Sequence, residues 1–173
     1  MMYQVFIVDN GTSMLPFWDV ATFVLETLAK KLRGLDDDGL DLFFANGDKW
    51  NIVASSHSTH EHFKKAMNNA RPMQDSKTDI TERLTKIFDT YNNGTQAKRM
   101  TLIVLTDGVW EGTVFEEKID KKIAEFVGKL EMKGHRSEER RFSIQFIRFG
   151  DDPKAIARLK RLDNDLKEKY KIS

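Results

Sequence analysis

Residues 3–14 read Tyr3-Gln4-Val5-Phe6-Ile7-Val8-Asp9-Asn10-Gly11-Thr12-Ser13-Met14. Up to Val8 the run is apolar on both faces of a strand except at Gln4, the pattern of a strand at the centre of a parallel sheet. It ends on an aspartate and a loop that carries two hydroxyls. In open α/β sheets ligands bind in the crevice beyond the carboxyl ends of the strands. A carboxylate and hydroxyls at that place suit a hard cation such as Mg²⁺, which prefers oxygen ligands. A second apolar run, Met100-Thr101-Leu102-Ile103-Val104-Leu105-Thr106, ends in the same way on Asp107. Thr78, in Ser76-Lys77-Thr78-Asp79, offers one more hydroxyl.

Between these strands the chain alternates helical and extended patterns. Trp18 to Arg33 carries a stripe at Val20, Phe23, Val24, Leu28 and Leu32, with Gly34 as a stop. Leu40 to Ala45 reads as the second strand. Asn46-Gly47-Asp48 is a turn signal, and Trp50 to Ala54 beyond it predicts a more polar, antiparallel edge strand. Phe63, Met67 and Ala70 mark a helix ended by Pro72. A further helix, Thr81 to Tyr91, is closed by Asn92-Asn93-Gly94. Glu116 to Met132 is a long helix with Ile119, Ile123, Phe126, Val127 and Leu130 inward. Residues 142–149 form the fifth strand, and Ile156, Leu159, Leu162, Leu166 and Tyr170 line a final amphipathic helix. The alternation predicts one α/β domain over residues 1–173: a doubly wound, mostly parallel sheet with strand order 3-2-1-4-5 and helices on both faces.

Composition narrows the function. The 28 Lys and Arg nearly balance 27 Asp and Glu, so charge gives no case for nucleic-acid or membrane binding. With no cysteine, thiol catalysis, disulfides and Cys-ligated metals are excluded. No apolar run approaches the roughly 20 residues of a membrane helix. Asp9 interrupts the first apolar stretch, which argues against a signal peptide and for a cytoplasmic or otherwise intracellular location.

Asp9, Ser13, Thr78 and Asp107, in that order, resemble the metal-ion-dependent adhesion site of von Willebrand factor A domains. That pattern is D-x-S-x-S, then a Thr, then T-D-G at the end of a later strand. Gly11 stands where the family has its first serine, so the site resembles a partly degenerate one. The stretch Phe142 to Pro153 and the Leu-rich helix after it resemble the fungal branch of the family. The resemblance covers almost the whole chain and implies a vWA/Rossmann-like fold and a non-enzymatic protein–protein interaction module with no catalytic residues. It further implies Mg²⁺, with Mn²⁺ or Ca²⁺ as substitutes, held by Asp9, Ser13, Thr78 and Asp107. Hydroxyls touch the metal, the aspartates act mainly through coordinated water, and a protein partner supplies an acidic side chain. A water in place of the missing hydroxyl would weaken the site, so Gly11→Ser is expected to strengthen it, at a cost in stability if Gly11 has a positive φ.

Two other functions compete. A metal-independent scaffold domain that has lost the site finds its support in Gly11. A phosphohydrolase of the haloacid dehalogenase kind is suggested by Asp9-Asn10-Gly11-Thr12, but aligning the Gly-Thr pair puts Ile7 where the nucleophilic aspartate belongs. The bare structural reading is that Asp9 and Asp107 only cap turns or helix starts. Phe17, Trp18 and Trp110 near the loops read either as an apolar rim to the site or as core beneath it. His57, His60 and His62 lack further ligands for zinc and read as a solvated helix start. Asp36-Asp37-Asp38-Gly39 lacks the glutamate of a calcium loop and reads as a polar turn. Residues 129–141 mix charges of both signs, as a solvated helix end and loop do.

Overall fold

The computed structural model describes residues 2–32, 40–47, 59–93, 99–113, 117–132 and 142–170. Its strands are β1 (Met2–Val8), β2 (Leu40–Phe44), β3 (Arg99–Thr106) and β4 (Phe142–Arg148). They hydrogen-bond in the order β2-β1-β3-β4, and all three pairings are parallel. These are the second, first, fourth and fifth strands of the predicted order, in the predicted sequence across the sheet. The predicted antiparallel edge strand over residues 50–54 lies outside the described residues, as do Asp36-Asp37-Asp38-Gly39 and the loop 133–141.

The helices are α1 (Trp18–Leu32), α2 (Thr59–Asn69), α3 (Ile80–Asn93), α4 (Glu117–Met132) and α5 (Pro153–Tyr170). Each described strand-to-strand connection runs through helix, as parallel pairing demands. The double burial expected of β1 follows. Val5 and Ile7 join Leu102 and Val104 in a core with α3, α4 and α5, whereas Phe6 and Val8 join Ile103 and Leu105 in a core with α1 and α2. Aromatics fill the first core: Phe88 stacks on Phe126 at 4.1 Å, and Phe142 meets Phe126 edge-on at 4.6 Å. Helix starts carry their own caps. Asp79 Oδ1 accepts the Thr81 N–H at 2.9 Å before α3. Asp152 Oδ1 accepts the Ala155 N–H at 2.8 Å at the start of α5, with Pro153 in the first helical position.

α1 corrects the sequence reading. Its buried face is Trp18, Ala21, Leu25 and Ala29, whereas Val20 and Phe23 are 56% and 69% exposed. Val24 and Leu28 lie at the border of the core. Trp18, the largest of these side chains, packs 6.4 Å from Phe44, and the two alanines are buried in the same core. Burial of the tryptophan turns the helix away from the stripe that hydrophobicity alone selects. The other helices keep their predicted faces: Leu84, Ile87 and Phe88 in α3, Ile119, Ile123, Phe126 and Leu130 in α4, and Leu159 and Leu162 in α5 are buried. No described helix is long and apolar enough to cross a membrane.

Candidate functional site

β1 and β3 are adjacent and parallel, so their carboxyl ends deliver Asp9 and Asp107 to the same edge of the sheet. The Asp9 N–H still pairs with Leu105 O at 2.8 Å, continuing the β1–β3 ladder one residue beyond the strand. Asp9 is fully buried. Its Oδ1 accepts the Gly11 N–H at 3.0 Å and the Thr78 hydroxyl at 2.7 Å. Oδ2 accepts the Thr106 hydroxyl at 2.7 Å. Burial nevertheless pushes the Asp9 carboxyl above the ordinary carboxylate range, against the lowering effect of these three donors, and the charge of Asp107 pushes the same way.

Asp107 is buried too, and its Oδ1 accepts the Val109 N–H at 2.9 Å. The Ser13 side chain lies beside the same carboxylate and lowers its pKa. Burial raises that pKa most, the Val109 N–H, Ser13 and its own backbone N–H lower it, and the charge of Asp152 raises it further. Ser13 itself is half-buried, in a 3-10 helix spanning Thr12–Phe17.

Thr78 reaches Asp9 from a distant loop because polar contacts tie that loop down. The Thr12 N–H donates to Ser76 O at 2.9 Å, and the Ser76 N–H donates to Thr12 Oγ1 at 2.8 Å. The Thr12 hydroxyl is thus turned away from the carboxylates, toward Met73 O at 2.9 Å. Asn10 and Asn46 form a second tie: the Asn46 N–H donates to Asn10 Oδ1 at 2.8 Å, and Asn46 Nδ2 donates to Ser76 Oγ at 3.0 Å. From the far side, the Gly112 N–H donates to Thr78 O at 3.0 Å.

Two glycines make room for this threonine. At Gly112 a Cβ would lie 2.8 Å from both the carbonyl carbon and the oxygen of Thr78. At Gly11 a Cβ would fall far inside contact with Thr78 Oγ1, and 3.4 Å from Asp9 Oδ1. Gly11 has φ −69° and ψ 162°, an extended conformation open to any residue. The positive φ considered from sequence is therefore absent, and space is what selects glycine here.

The structure brings the four residues singled out in the sequence to one edge of the sheet: Thr78 is hydrogen-bonded to Asp9, and Ser13 lies beside Asp107 and lowers its pKa. Thr106 and Trp110 also belong to the arrangement. Thr106 is the threonine of the T-D-G pattern, but spacing does not show its bond to Asp9 or any part for Trp110, because both depend on which way one hydroxyl points. The donor set consists of oxygens only, and it contains two buried carboxylates whose pKa values are raised. That chemistry fits a hard divalent cation, which neutralises paired carboxylates and takes hydroxyl oxygens readily. The arrangement also goes beyond turn capping, since Asp9 is held by donors from three separate segments. Trp18 and Trp110 are buried, so of the aromatics near the loops they are core, and Phe17 stacks on Phe149 at 6.4 Å. Among the described residues no group of three His, Cys, Asp or Glu side chains converges. His57 lies outside them, and His60 and His62 fall in the first turn of α2.

A search of curated proteins gives no significant match. A family model for the von Willebrand factor type A domain matches residues 4–109, more than half of the chain and a span that encloses Asp9, Ser13, Thr78 and Asp107.

Proposed function

The chain belongs to the von Willebrand factor type A domain family, and from that premise we propose that it is a non-enzymatic protein-interaction module that docks a partner at the Asp9/Ser13/Thr78/Asp107 face. Domains of this family generally serve as interaction modules. The finer reading is that Ser13 and Thr78 offer hydroxyl oxygens, and Asp9 and Asp107 offer charge, to Mg²⁺ or a similar divalent cation. When bound, the cation supplies a positive centre that attracts a carboxylate from the partner protein. Neutral hydroxyl ligands leave such a centre electron-poor, which favours an external acidic group.

The observation that carries this reading is the convergence of two buried carboxylates and two hydroxyls from three loops, joined by the 2.7 Å Thr78–Asp9 contact. A second reading, the metal-independent scaffold, is favoured by a different observation: Asp9 already accepts three hydrogen bonds from its own chain. Calorimetric titration with Mg²⁺ and Mn²⁺, on the wild type and Asp107→Ala, separates the two. The cation reading expects heat from the wild type that Asp107→Ala abolishes, and binding of an acidic peptide that EDTA reverses. No heat from the wild type with either ion would leave the scaffold reading.

A further inference from the structure

Trp110 stands four residues beyond the end of β3 and is 3% exposed. Its indole N–H donates to Thr106 Oγ1 at 2.9 Å, and the Gly108 N–H donates to the same oxygen at 2.9 Å. A threonine hydroxyl has two acceptor lone pairs and one proton. With both lone pairs engaged, the proton has one direction left, and it points to Asp9 Oδ2 at 2.7 Å. The hydroxyl can neither rotate nor reverse without breaking one of these bonds.

We propose that Trp110 is a positioning residue of the Asp9 site, acting through Thr106 to hold the Asp9 carboxylate in one orientation. A carboxylate has about four lone-pair sites, and the described donors fill three of them, two on Oδ1 and one on Oδ2. The remaining capacity of Asp9 is therefore on Oδ2, the oxygen that Thr106 holds. Trp110 sets where that capacity is directed although it does not touch Asp9. The inference rests on the cation reading above in its consequence for binding, and on hydrogen-bond polarity alone in its local part. Trp110 also packs against Phe146 at 6.4 Å, and the Arg158 guanidinium lies 5.3 Å from its ring. A role in packing alone is thus the alternative that the test must separate.

Groups that orient metal ligands typically cost about 10- to 100-fold in affinity when removed. In the full chain, titrated with Mn²⁺ and with Mg²⁺, Trp110→Phe and Thr106→Val should each weaken binding by roughly tenfold. Thr106→Ser, which keeps the hydroxyl, should bind like the wild type. The double variant Trp110→Phe/Thr106→Val should be no weaker than Thr106→Val alone, because the indole acts through the hydroxyl. Losses that multiply in the double variant, or wild-type affinity in Thr106→Val, would overturn the proposal.

A metal-free readout stands beside this one. The Trp110 indole N–H, identified by its absence from the spectrum of Trp110→Phe, should exchange with solvent slowly in the wild type and in Thr106→Ser. In Thr106→Val it should exchange at least tenfold faster, since the buried donor has lost its acceptor. If the wild type binds neither cation, the cation reading fails, and indole exchange still decides the Trp110–Thr106 link: equal protection in Thr106→Val overturns it. Should Trp110→Phe fold poorly, the Val and Ser pair at position 106 carries both measurements.

Discussion

Gly11 and Thr78 are complementary in space: the hydroxyl of Thr78 occupies the volume that a side chain at position 11 would need, and it uses that place to reach Asp9 Oδ1 at 2.7 Å. Read from sequence alone, Gly11 is a ligand position that has lost its hydroxyl. In the folded chain it is the vacancy that admits the Thr78 hydroxyl to the buried carboxylate.

The first prediction follows directly. Gly11→Ala and Gly11→Ser should destabilise the fold by about 1–3 kcal/mol, the usual penalty for an overpacked site. Gly11→Ser should also weaken any divalent binding, the reverse of the sequence-based expectation, because Thr78 is displaced from Asp9. The cost of Gly11→Ala should shrink in a Thr78→Ala background, where the blocking oxygen is gone. Urea unfolding of the four proteins in that cycle measures the coupling. Strictly additive costs would show that the two residues do not compete for the same space.

Gly112 makes the same demand on the main chain. Its absent Cβ would meet the carbonyl carbon and oxygen of Thr78 at 2.8 Å, and a backbone cannot swing aside as a side-chain tip does. Gly112→Ala should cost at least as much as Gly11→Ala, about 2–3 kcal/mol at the upper end of the overpacking range. It should also lower protection of the Gly112 amide, whose bond to Thr78 O is 3.0 Å. Hydrogen exchange and melting temperature together check this, and a variant as stable as the wild type would contradict the close approach.

Both site carboxyls titrate above their ordinary value of 3.8, chiefly because of burial. Such a group is harder to ionise in the folded chain than in the unfolded one, so it lowers stability where both states are ionised. As pH falls through the raised folded value, the folded chain takes up the proton first and this penalty disappears. The contribution of Asp9 and Asp107 to stability therefore rises on acidification from neutrality toward the ordinary carboxylate range. Asp107→Asn removes one charge and the repulsion on Asp9. Its advantage over the wild type in urea midpoint should be largest near neutrality and shrink as pH falls. A wild type that loses ground to the variant on acidification would reverse the sign. Divalent affinity should move the other way and weaken as the carboxyls protonate.

What the sequence made legible was whatever requires a long run or a strand end. β1 and β3 are apolar on both faces because helices cover both sides, and that leaves continuous runs which cannot be mistaken for half-buried strands. Asp9 and Asp107 follow those runs directly, so their meeting at one sheet edge is a consequence of parallel pairing. Thr78 was legible as a residue type but not as a fit. That Gly11 and Gly112 leave space for it depends on interatomic distances, which no spacing encodes. The part of Thr106 was hidden for a similar reason, since hydrogen-bond polarity is fixed by neighbours four residues away and across the sheet. α1 misled by composition: apolar residues from Trp18 to Leu28 spread around much of its circumference, and alanines at the buried centre carry little hydrophobic signal.

That misreading gives the last prediction, which sets one side of α1 against the other. Leu25 is fully buried, and Leu25→Ala should cost about 2–5 kcal/mol through lost burial and the cavity left behind. Phe23 and Val20 are 69% and 56% exposed. Phe23→Ser and Val20→Ser should therefore stay within about 0.5 kcal/mol of the wild type, as surface substitutions do. The predicted sequence stripe would give the opposite ranking, with Phe23→Ser among the most damaging changes in the helix. Ala21→Leu discriminates further: on the sequence reading it adds a harmless apolar residue beside the stripe, whereas at a fully buried position it overpacks the core and costs about 1–3 kcal/mol. Urea midpoints for these variants decide the phase of the helix, and a Phe23→Ser cost equal to that of Leu25→Ala would reject the orientation described here.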